Sequence, residues 1–350
     1  MACHTSQVST PFRASRSAAT LEEVAARAGV SRATASRVLR GAANVSAAAR
    51  TAVQKAAEEI RYTPNRAARS LVTGRSDSVA FLVNETEERM FTEPFFLGML
   101  RAAQEAAAGS EVQLTFVVAS TPEQRDRFVS YASGGHVDGV LVLSTHGDDT
   151  LQSRLESVGV PTVLSGRPYS DPSLFHVDAD NVAGGRLATE HLLRTGRRRL
   201  GIVTGPMDMC AGLDRYAGYR AALADAGLAL DETLVEVGGF SAGEGYAAGQ
   251  RLLERRPDLD AIVAPSDLAA VGVIRAVQQV GRSVPDDVGV VGFDDVREAA
   301  EHHPSLTTIR QPIAELGATM THLLLARLAG DEPESAAVVL PVELVVRDSA

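Results

Sequence analysis

The sequence predicts an N-terminal all-α domain, a short basic linker and then a two-lobed α/β core. Residues 20–62 carry apolar residues at helical spacing, whereas from Asp77 onward apolar runs alternate with amphipathic stretches. The balance of basic and acidic residues changes near the same position. Residues 1–75 hold twelve Lys and Arg against four Asp and Glu, and the remaining residues hold 22 against 40. A basic head on an acidic body is typical of a DNA reader with a separate sensing domain.

The first helix is expected to begin after Thr20. Thr20 and Glu23 form a capping-box pattern, in which each side chain can satisfy a free backbone amide at the helix start. Gly29 is expected to end this helix, because glycine enters the left-handed region without steric cost. Between these two signals lies one apolar stripe, made of Leu21, Val24, Ala25 and Ala28.

A second helix is expected to start at Ser31, which suits the N-cap position. Its apolar face is formed by Ala35, Val38 and Leu39 at helical spacing. Two short helices joined by a glycine-containing turn predict a helix-turn-helix unit, whose second helix reads base edges in the major groove of DNA.

The outer face of the second helix supplies the first candidate DNA-binding residues. Arginine suits base reading because its planar fork matches guanine O6 and N7. A solvated face with incidental arginines is the alternative. The candidates on this helix are Arg32, Ala33, Thr34, Ser36 and Arg37.

A third helix, expected over Ser46–Tyr62, would close a three-helix core. A basic stretch then covers residues 62–76, where Pro64 breaks the helix and Asn65 can cap a short new one. The expected domains are a disordered polar leader at 1–19, a helix-turn-helix domain at 20–64, a hinge helix or linker at 65–76 and a core at 77–350.

The order V-A-x-x-A-G-V-S-x-x-T-x-S-R-V, followed by Y-x-P-N-x-x-A-R-S-L, resembles the lactose-repressor (LacI/GalR) family of bacterial transcription regulators. The resemblance extends from residue 20 to the closing VVRDS. It implies that the basic stretch is a hinge helix that orders on DNA and inserts Leu71 into the minor groove. Asn65 and Arg69 join Leu71 as candidate DNA contacts. A two-fold homodimer on a palindromic double-stranded operator is expected, because one recognition helix reads only a few base pairs.

Two series of apolar runs predict two parallel sheets covered by helices. By resemblance this is a periplasmic-binding-protein-like core whose chain crosses between lobes three times. Lobe one is expected at about 77–178 plus 308–330, and lobe two at about 179–307 plus 331–350. The third crossing is expected near Thr307–Gln311, before a helix over Ile313–Leu328. The expected strands are Val79–Val83, Val112–Val118, Gly139–Leu143, Pro161–Leu164, Leu200–Val203, Leu234–Val237, Ala261–Ala264 and Val288–Phe293.

Ligands of open α/β sheets bind beyond the carboxyl ends of the strands, and in a two-lobed protein those ends face a shared cleft. Aromatic faces together with arginine and carboxylate groups suit a sugar, which stacks through C–H faces and hydrogen-bonds through hydroxyls. The expected effector is therefore a small sugar. The candidate effector-binding residues are Phe95, Phe96, His146, Ala211, Arg215, Phe240, Ser266, Asp294 and Gln311.

Some of these positions are supported by the resemblance. In sugar-responsive relatives the arginine of R-x-x-G-aromatic and the first aspartate of G-aromatic-D contact the effector, and they match Arg215 and Asp294 here. Met209 stands where a purine-responsive member carries an effector-binding arginine, which disfavours a purine. Ser266 replaces an asparagine common in sugar binders.

Six of these candidates also have a structural alternative. The phenylalanines could be core side chains, and Asp294 could cap the next helix. Arg215 could form a surface salt bridge, and His146 could be a solvated histidine on a loop near the cleft.

Other classes of protein lack their motifs in this sequence. No G-x-G-x-x-G follows a strand, G-x-S-x-G is missing, and the single lysine leaves no phosphate loop. No catalytic residue, metal site or cofactor is expected, and His302–His303 is a weak metal candidate. An exported protein or a membrane span is not expected either.

The prediction is a cytoplasmic, ligand-responsive repressor of carbohydrate-use genes. The alternatives are a transport-type sugar-binding protein, a Rossmann-type enzyme with an added head, and an activator or global regulator with a non-sugar effector.

Overall fold

The computed structural model describes residues 19–39, 41–42, 44–63, 74–147, 150–331 and 333–350. The chain forms two compact units, a helical unit up to Gly74 and an α/β unit over Arg75–Ala350. We call them the head and the core. Among the described residues, no helix combines the length and the apolar character needed to cross a membrane.

Over the described residues of the head there are three helices, and the first of them begins and ends at the local signals of the sequence. Thr20 accepts from the amide of Glu23 at 3.3 Å, and the Glu23 carboxylate accepts from the amide of Thr20 at 2.8 Å, so the predicted capping box is confirmed. Gly29 follows the first helix with φ of 64°, as its left-handed position requires. The helices are α1 (Leu21–Ala28), α2 (Arg32–Leu39) and α3 (Ala47–Glu59).

The apolar faces of these helices form one small core. Val24, Ala35 and Val53, one from each helix, are each fully buried. The third helix ends at Glu59, shorter than predicted, because Ile60 leaves the helical conformation and Arg61 has a φ of 51°. The predicted hinge residues Asn65, Arg69 and Leu71 lie outside the described residues.

The first sheet of the core is entirely parallel, with strand order β11-β5-β4-β3-β1-β2. Its central strands are buried on both faces, which is why they appear in the sequence as continuous apolar runs. Its strands are β1 (Ser78–Val83), β2 (Gln113–Val118), β3 (Gly139–Leu143), β4 (Thr162–Ser165), β5 (His176–Ala179) and β11 (Ala337–Leu340). The helices of this lobe are α4 (Glu87–Thr92), α5 (Pro94–Ala107), α6 (Pro122–Tyr131), α7 (Leu151–Ser157) and α13 (Ile313–Ala329).

The second sheet has the order β12-β10-β9-β8-β6-β7, and only β12 runs antiparallel to its neighbour. Its strands are β6 (Leu200–Val203), β7 (Val235–Glu236), β8 (Ala261–Val263), β9 (Gly289–Asp294), β10 (Thr307–Arg310) and β12 (Glu343–Val345). The helices of this lobe are α8 (Asn181–Arg194), α9 (Cys210–Asp225), α10 (Ala242–Arg255), α11 (Asp267–Gln279) and α12 (Arg297–Glu301).

The chain crosses between the lobes after residue 178 and near Gln311, as expected, but two short strands lie in the other lobe from the one expected. Thr307–Arg310 pairs with β9 and so belongs to lobe two, not lobe one. Ala337–Leu340 pairs with β5 and belongs to lobe one, not lobe two. Gln311 and Pro312 therefore form the second crossing, and the third lies at residues 341–342. The prediction failed at these short strands because their sheet is chosen by long-range pairing, which local patterns do not reveal.

Two glycines hold α8 and α9 at close approach in lobe two. A Cβ on Gly218 would lie 2.1 Å from the carbonyl oxygen of Val182, and one on Gly185 would lie 2.1 Å from that of Arg215. The backbones therefore touch, which fixes Arg215 on α9 relative to the start of α8.

Candidate effector site and DNA-reading surface

The outer face of α2 carries the predicted DNA-reading side chains. Arg32, Ala33 and Arg37 are exposed. Arg32 pairs with Glu22 at 2.7 Å, an exposed contact that costs little to break. Thr34 and Ser36 are half-buried. The Thr34 amide donates to Ser31 Oγ at 3.1 Å, so the prediction that Ser31 is the N-cap of α2 is confirmed.

A cavity of about 100 Å³ lies between the two lobes of the core, at the carboxyl ends of strands from both sheets. Seven of the nine predicted effector residues line it: Phe95, Phe96, Ala211, Arg215, Phe240, Asp294 and Gln311. Its wall is completed by Arg89, Glu93, Ser144, Ser165, Gly166, Val177, Asp178, Ala179, Asn181, Met209 and Leu316.

Arg215 is the buried cation of this cavity. Its side chain is 6 % exposed, and its guanidinium carbon lies 3.5 Å from the centroid of the Phe293 ring. Nε donates to Asn181 Oδ1 at 2.9 Å, and a terminal nitrogen donates to the Pro265 carbonyl. Burial lowers the pKa of Arg215, while nearby carboxylates, Asp294 first, oppose that shift. A surface salt bridge is therefore not the role of this arginine.

Asp294 ends β9 beside the cavity with a φ of 115°. Gln311 donates to its Oδ1 at 2.5 Å. Burial raises the pKa of Asp294 to about 7, although Arg215 and Gln311 favour the ionised form. It does not cap the following helix, whose N-cap is Val296. A carboxylate in this strained, desolvated position is suited to accept hydrogen bonds from a ligand.

Behind Asp294 lies a second carboxylate that the sequence analysis missed. Asp267 is fully buried at the start of α11, where it accepts from Thr308 Oγ1 at 2.5 Å and from the Val296 amide at 2.9 Å. Burial, and then the charge of Asp294, raise the pKa of Asp267 well above its usual value. Asp267 thereby holds the loop that follows Asp294.

The three predicted phenylalanines differ in exposure. Phe96 is 1 % exposed and joins the core of lobe one, as the structural alternative proposed, yet its ring still reaches the cavity. Phe95 is half-buried and contacts Phe96 edge-on, with ring centroids 5.5 Å apart. Phe240 is 8 % exposed and comes from the other lobe. The cavity is thus bounded by rings from both lobes.

Arg89 on α4 is the main residue that the sequence analysis missed. Its guanidinium carbon lies 4.8 Å from the Phe240 centroid, so a lobe-one cation covers a lobe-two aromatic face. It is held by Glu85 and by Glu93, the latter at 2.7 Å from Nε. The i, i+4, i+8 spacing of these three residues was visible in the sequence, but not the position of α4 over the cavity.

Asp178 and Asn181 were also missed as site residues. Asn181 donates to Asp178 Oδ1 at 2.9 Å and accepts from Arg215, so the three residues form a continuous chain across the first crossing. Burial raises the pKa of Asp178.

Two predicted effector residues lie outside this cavity. Ser266 caps α11 and donates to the Phe240 carbonyl at 2.5 Å, so it supports the aromatic wall from behind. His146 lines a neighbouring polar groove of about 570 Å³ in lobe one. Its two ring nitrogens lie within hydrogen-bonding distance of Glu85 and Asp208, so it is not a freely solvated histidine.

Several polar contacts join the lobes beside the cavity. Arg167 of lobe one donates two hydrogen bonds of 2.7 Å to the carboxylate of Asp214 in lobe two. The Gly147 amide donates to the Asp208 carbonyl at 2.6 Å. These lobe-two partners lie in one stretch, residues 208–214. These contacts hold the two lobes together beside the cavity.

The groups around the cavity suit an uncharged polar ligand. Arg89 is already paired with carboxylates, and Asp178, Asp294 and Glu93 leave no surplus of positive charge in the wall. Within the described ranges, no group of three or more His, Cys, Asp or Glu is placed to hold a metal ion.

Comparison with known proteins identifies both units. Residues 20–65 match the model of bacterial regulatory proteins of the lacI family, and residues 189–350 match that of a periplasmic binding protein-like domain. The chain is 45 % identical over 332 residues to the HTH-type transcriptional regulator CelR of Thermobifida fusca, covering 94 % of this chain and 98 % of that protein. It is 33 % identical to the ribose operon repressor of Halalkalibacterium halodurans, covering 94 % and 96 %.

Two solved structures superpose on nearly the whole chain. A CelR–cellobiose complex superposes with a TM-score of 0.77 at 43 % identity, covering 95 % of this chain and 100 % of that one. A lac repressor dimer bound to operator and an anti-inducer superposes with a TM-score of 0.83 at 27 % identity, covering 95 % and 99 %. The chain therefore belongs to the lacI family of bacterial regulatory proteins and is a ligand-responsive, DNA-binding transcription regulator.

Proposed function

We propose that this regulator represses carbohydrate-use genes and that a small neutral sugar, bound between the lobes, changes its affinity for a palindromic operator. The observation that carries the proposal is the interlobe cavity, where Arg215 and Asp294 face aromatic rings from both lobes. The protein acts as a homodimer, because two recognition helices must reach two half-sites of DNA. Its place is the cytoplasm, where a bacterial regulator meets its operator.

The effector class follows from the balance of charge and ring surface. A phosphorylated sugar or another anion would need a free cation, but Arg89 and Arg215 each lie beside carboxylates. Hydroxyl groups instead find acceptors on Asp294 and donors on Arg215, and sugar C–H faces pack on the Phe240 ring once Arg89 shifts. Cellobiose is the first candidate to test, because a relative of 43 % identity was solved with it.

On DNA, we assign base reading to the outer face of α2. Arg32 and Arg37 are exposed there and can turn towards base edges without disturbing the core of the head. Ala33, Thr34 and Ser36 complete the face, and the roles of Asn65, Arg69 and Leu71 in the hinge stay predictions.

The test is an operator titration. An operator is first selected from random double-stranded DNA with the purified full chain, and binding of the labelled operator is then measured with increasing cellobiose. Sucrose serves as a disaccharide control. We expect cellobiose, and not sucrose, to change operator affinity. Failure to select any palindrome would refute the DNA assignment, and a null response to a panel of neutral sugars would refute the effector assignment.

A matched pair of variants tests the cavity. Asp294→Asn should raise the cellobiose concentration needed for the response by roughly ten- to hundredfold, because a lost charged acceptor costs ~1–3 kcal/mol. Asp225→Asn makes the same chemical change on the exposed end of α9 and should leave the response unchanged. If Asp294→Asn responded like the wild type, the sugar would not contact Asp294.

A further inference from the structure

One histidine joins two carboxylates that belong to different lobes. His146 Nε2 lies 2.8 Å from Glu85 Oε1 in lobe one, and Nδ1 lies 2.9 Å from Asp208 Oδ2 in lobe two. We call these three residues the histidine bridge. A neutral imidazole carries one N–H and can donate to only one of the two carboxylates. Both contacts can be hydrogen bonds to ionised acids only when the ring is protonated on both nitrogens.

The groups around Glu85 keep its carboxylate ionised, so that the proton between His146 and Glu85 stays on the imidazole. Glu85 is buried, which alone would raise its pKa, but hydrogen bonds from His146 and Ser144 and the charge of Arg89 outweigh burial and lower it. The Ser144 hydroxyl donates to Glu85 Oε1 at 2.6 Å. Glu85 therefore stays ionised over the pH range in which the imidazole titrates.

The remaining charged groups that face His146 are arginines of the same groove. Arg125 lies on α6 and donates a hydrogen bond of 2.8 Å to Asn84 Oδ1. Arg154 lies on α7 and forms an ion pair with Asp126, with 2.7 Å between nitrogen and oxygen. Their charge opposes protonation of the ring, but the two carboxylates are in direct contact with it. The hydrogen bond to Glu85, and then that to Asp208, raise the pKa of His146 against the effect of burial.

Only half of the bridge depends on the position of the lobes. Glu85 and His146 both belong to lobe one, so their contact persists when the cleft opens. Asp208 belongs to lobe two, directly before α9, and moves away with it. Opening therefore removes one of the two anions that stabilise the imidazolium.

We propose that closure of the two lobes takes up a proton at His146, so that acidic conditions favour the closed, effector-holding form. The link to effector binding rests on the function proposed above, whereas the bridge itself is observed in the structure. By linkage, a proton that favours closure is also bound more tightly when the effector closes the cleft. The ion pair between Arg167 and Asp214 also joins the two lobes.

The direction of the pH effect follows from the sign of the shift. The raised pKa of His146 means that its contribution to the closed form is fully present below the pKa of the open form. That contribution is lost as pH rises through the pKa of the closed form. Effector affinity should therefore fall as pH rises between these two values, by at most about tenfold per pH unit.

The first experiment needs no effector. Thermal unfolding of the full chain is measured from pH 6 to pH 9 for the wild type, His146→Gln and His322→Gln, the last of which changes an exposed histidine on α13. We expect the melting temperature of the wild type to exceed that of His146→Gln at pH 6 and the difference to shrink by pH 9. His322→Gln should follow the wild type. A difference between wild type and His146→Gln that does not vary with pH would overturn the proposal.

The second experiment measures the proton directly. Cellobiose is titrated calorimetrically into the full chain at pH 7.5 in two buffers of different ionisation enthalpy, which reports the number of protons taken up. We expect uptake of a fraction of one proton for the wild type and none for Asp208→Asn. Binding without uptake would refute the coupling of the bridge to the effector. Absence of cellobiose binding would rule out cellobiose as the effector instead, and the melting comparison would still decide for or against the proton at His146.

Discussion

The head and the core use arginine in opposite ways. On the head, the side chain of Arg32 is 72 % exposed and its partner Glu22 is 62 % exposed, so water surrounds the pair. In the core, Arg215 is 6 % exposed, stacks on Phe293 and has its pKa lowered by burial. The first arginine is held loosely and can exchange partners, whereas the second is fixed by everything packed around it.

Function and stability can be changed separately on the head but not at the interlobe cavity. A substitution on α2 removes a DNA contact and leaves the small apolar core of the head intact. A substitution at the interlobe cavity changes ligand contacts, buried charge and lobe packing together, because the same side chains serve all three.

The largest effect is expected where the backbones of α8 and α9 touch. In Gly218→Ala the new Cβ would lie 2.1 Å from the Val182 carbonyl oxygen, so the helices must separate and Arg215 must move. We expect a loss of about 3 kcal/mol or more in the free energy of unfolding, measured by urea denaturation, together with loss of the effector response. Gly243→Ala is the control, since its Cβ meets open space on a helix, and a gain of ~0.4–1 kcal/mol is expected. Wild-type stability of Gly218→Ala would show that these helices spread apart at little cost.

The next effect concerns the buried carboxylate at the cavity. Burial raises the pKa of Asp294 to about 7, so its ionisation costs stability as pH rises from the unfolded value of ~4 towards 7. Asp294→Asn removes that cost. Relative to the wild type, the variant should gain roughly 2–3 kcal/mol of unfolding free energy between pH 4.5 and pH 8. Urea midpoints at the two pH values measure the gain, and Asp225→Asn should show none.

A smaller effect is expected on the head. Arg37→Ala should weaken binding to the selected operator by ~1–3 kcal/mol and relax base preference at one position of each half-site. The melting temperature of the head should hardly change, because Arg37 is exposed. Titration of specific and random DNA at one salt concentration measures the effect, with Lys55→Ala as the charge-matched control. Equal losses on both DNAs would make Arg37 a phosphate contact.

The smallest effect is expected for the partner of Arg32. Glu22→Gln removes an exposed ion pair, and the free energy of unfolding should change by no more than ~0.5 kcal/mol. Operator affinity should rise slightly, because Arg32 no longer has to leave a carboxylate to reach DNA. A loss of several kcal/mol would contradict the view that the head tolerates changes on its surface.

The sequence predicted best what is determined locally. The capping box at Thr20, the stop at Gly29 and the strands Gly139–Leu143 and Leu200–Val203 were predicted to the residue, because their signals lie within a few residues of one another. The cavity residues Arg215 and Asp294 were found through short motifs that resemble those of the family.

What the sequence did not reveal depends on contacts between distant segments. Arg89 lies over Phe240 only because two lobes meet, and 150 residues separate them in the chain. His146 was expected near the ligand, but its partners Glu85 and Asp208 come from both lobes and give it a different environment. The strands β10 and β11 were assigned to the wrong lobes for the same reason, since pairing across the sheet decided their place.

The interleaved path of the chain also governs the order in which the lobes can be finished during synthesis. Lobe one lacks Leu316, Met320 and Leu324 of its core, and its strand β11, until lobe two has been made. Lobe two, by contrast, lacks only β12 and the last few residues after Arg310 is in place. The lobe made second is therefore nearly complete first, against the usual N-terminal-first order. The segment leading from the head joins the lobe that is completed last, so a ribosome must translate almost the whole gene before that lobe has its full core.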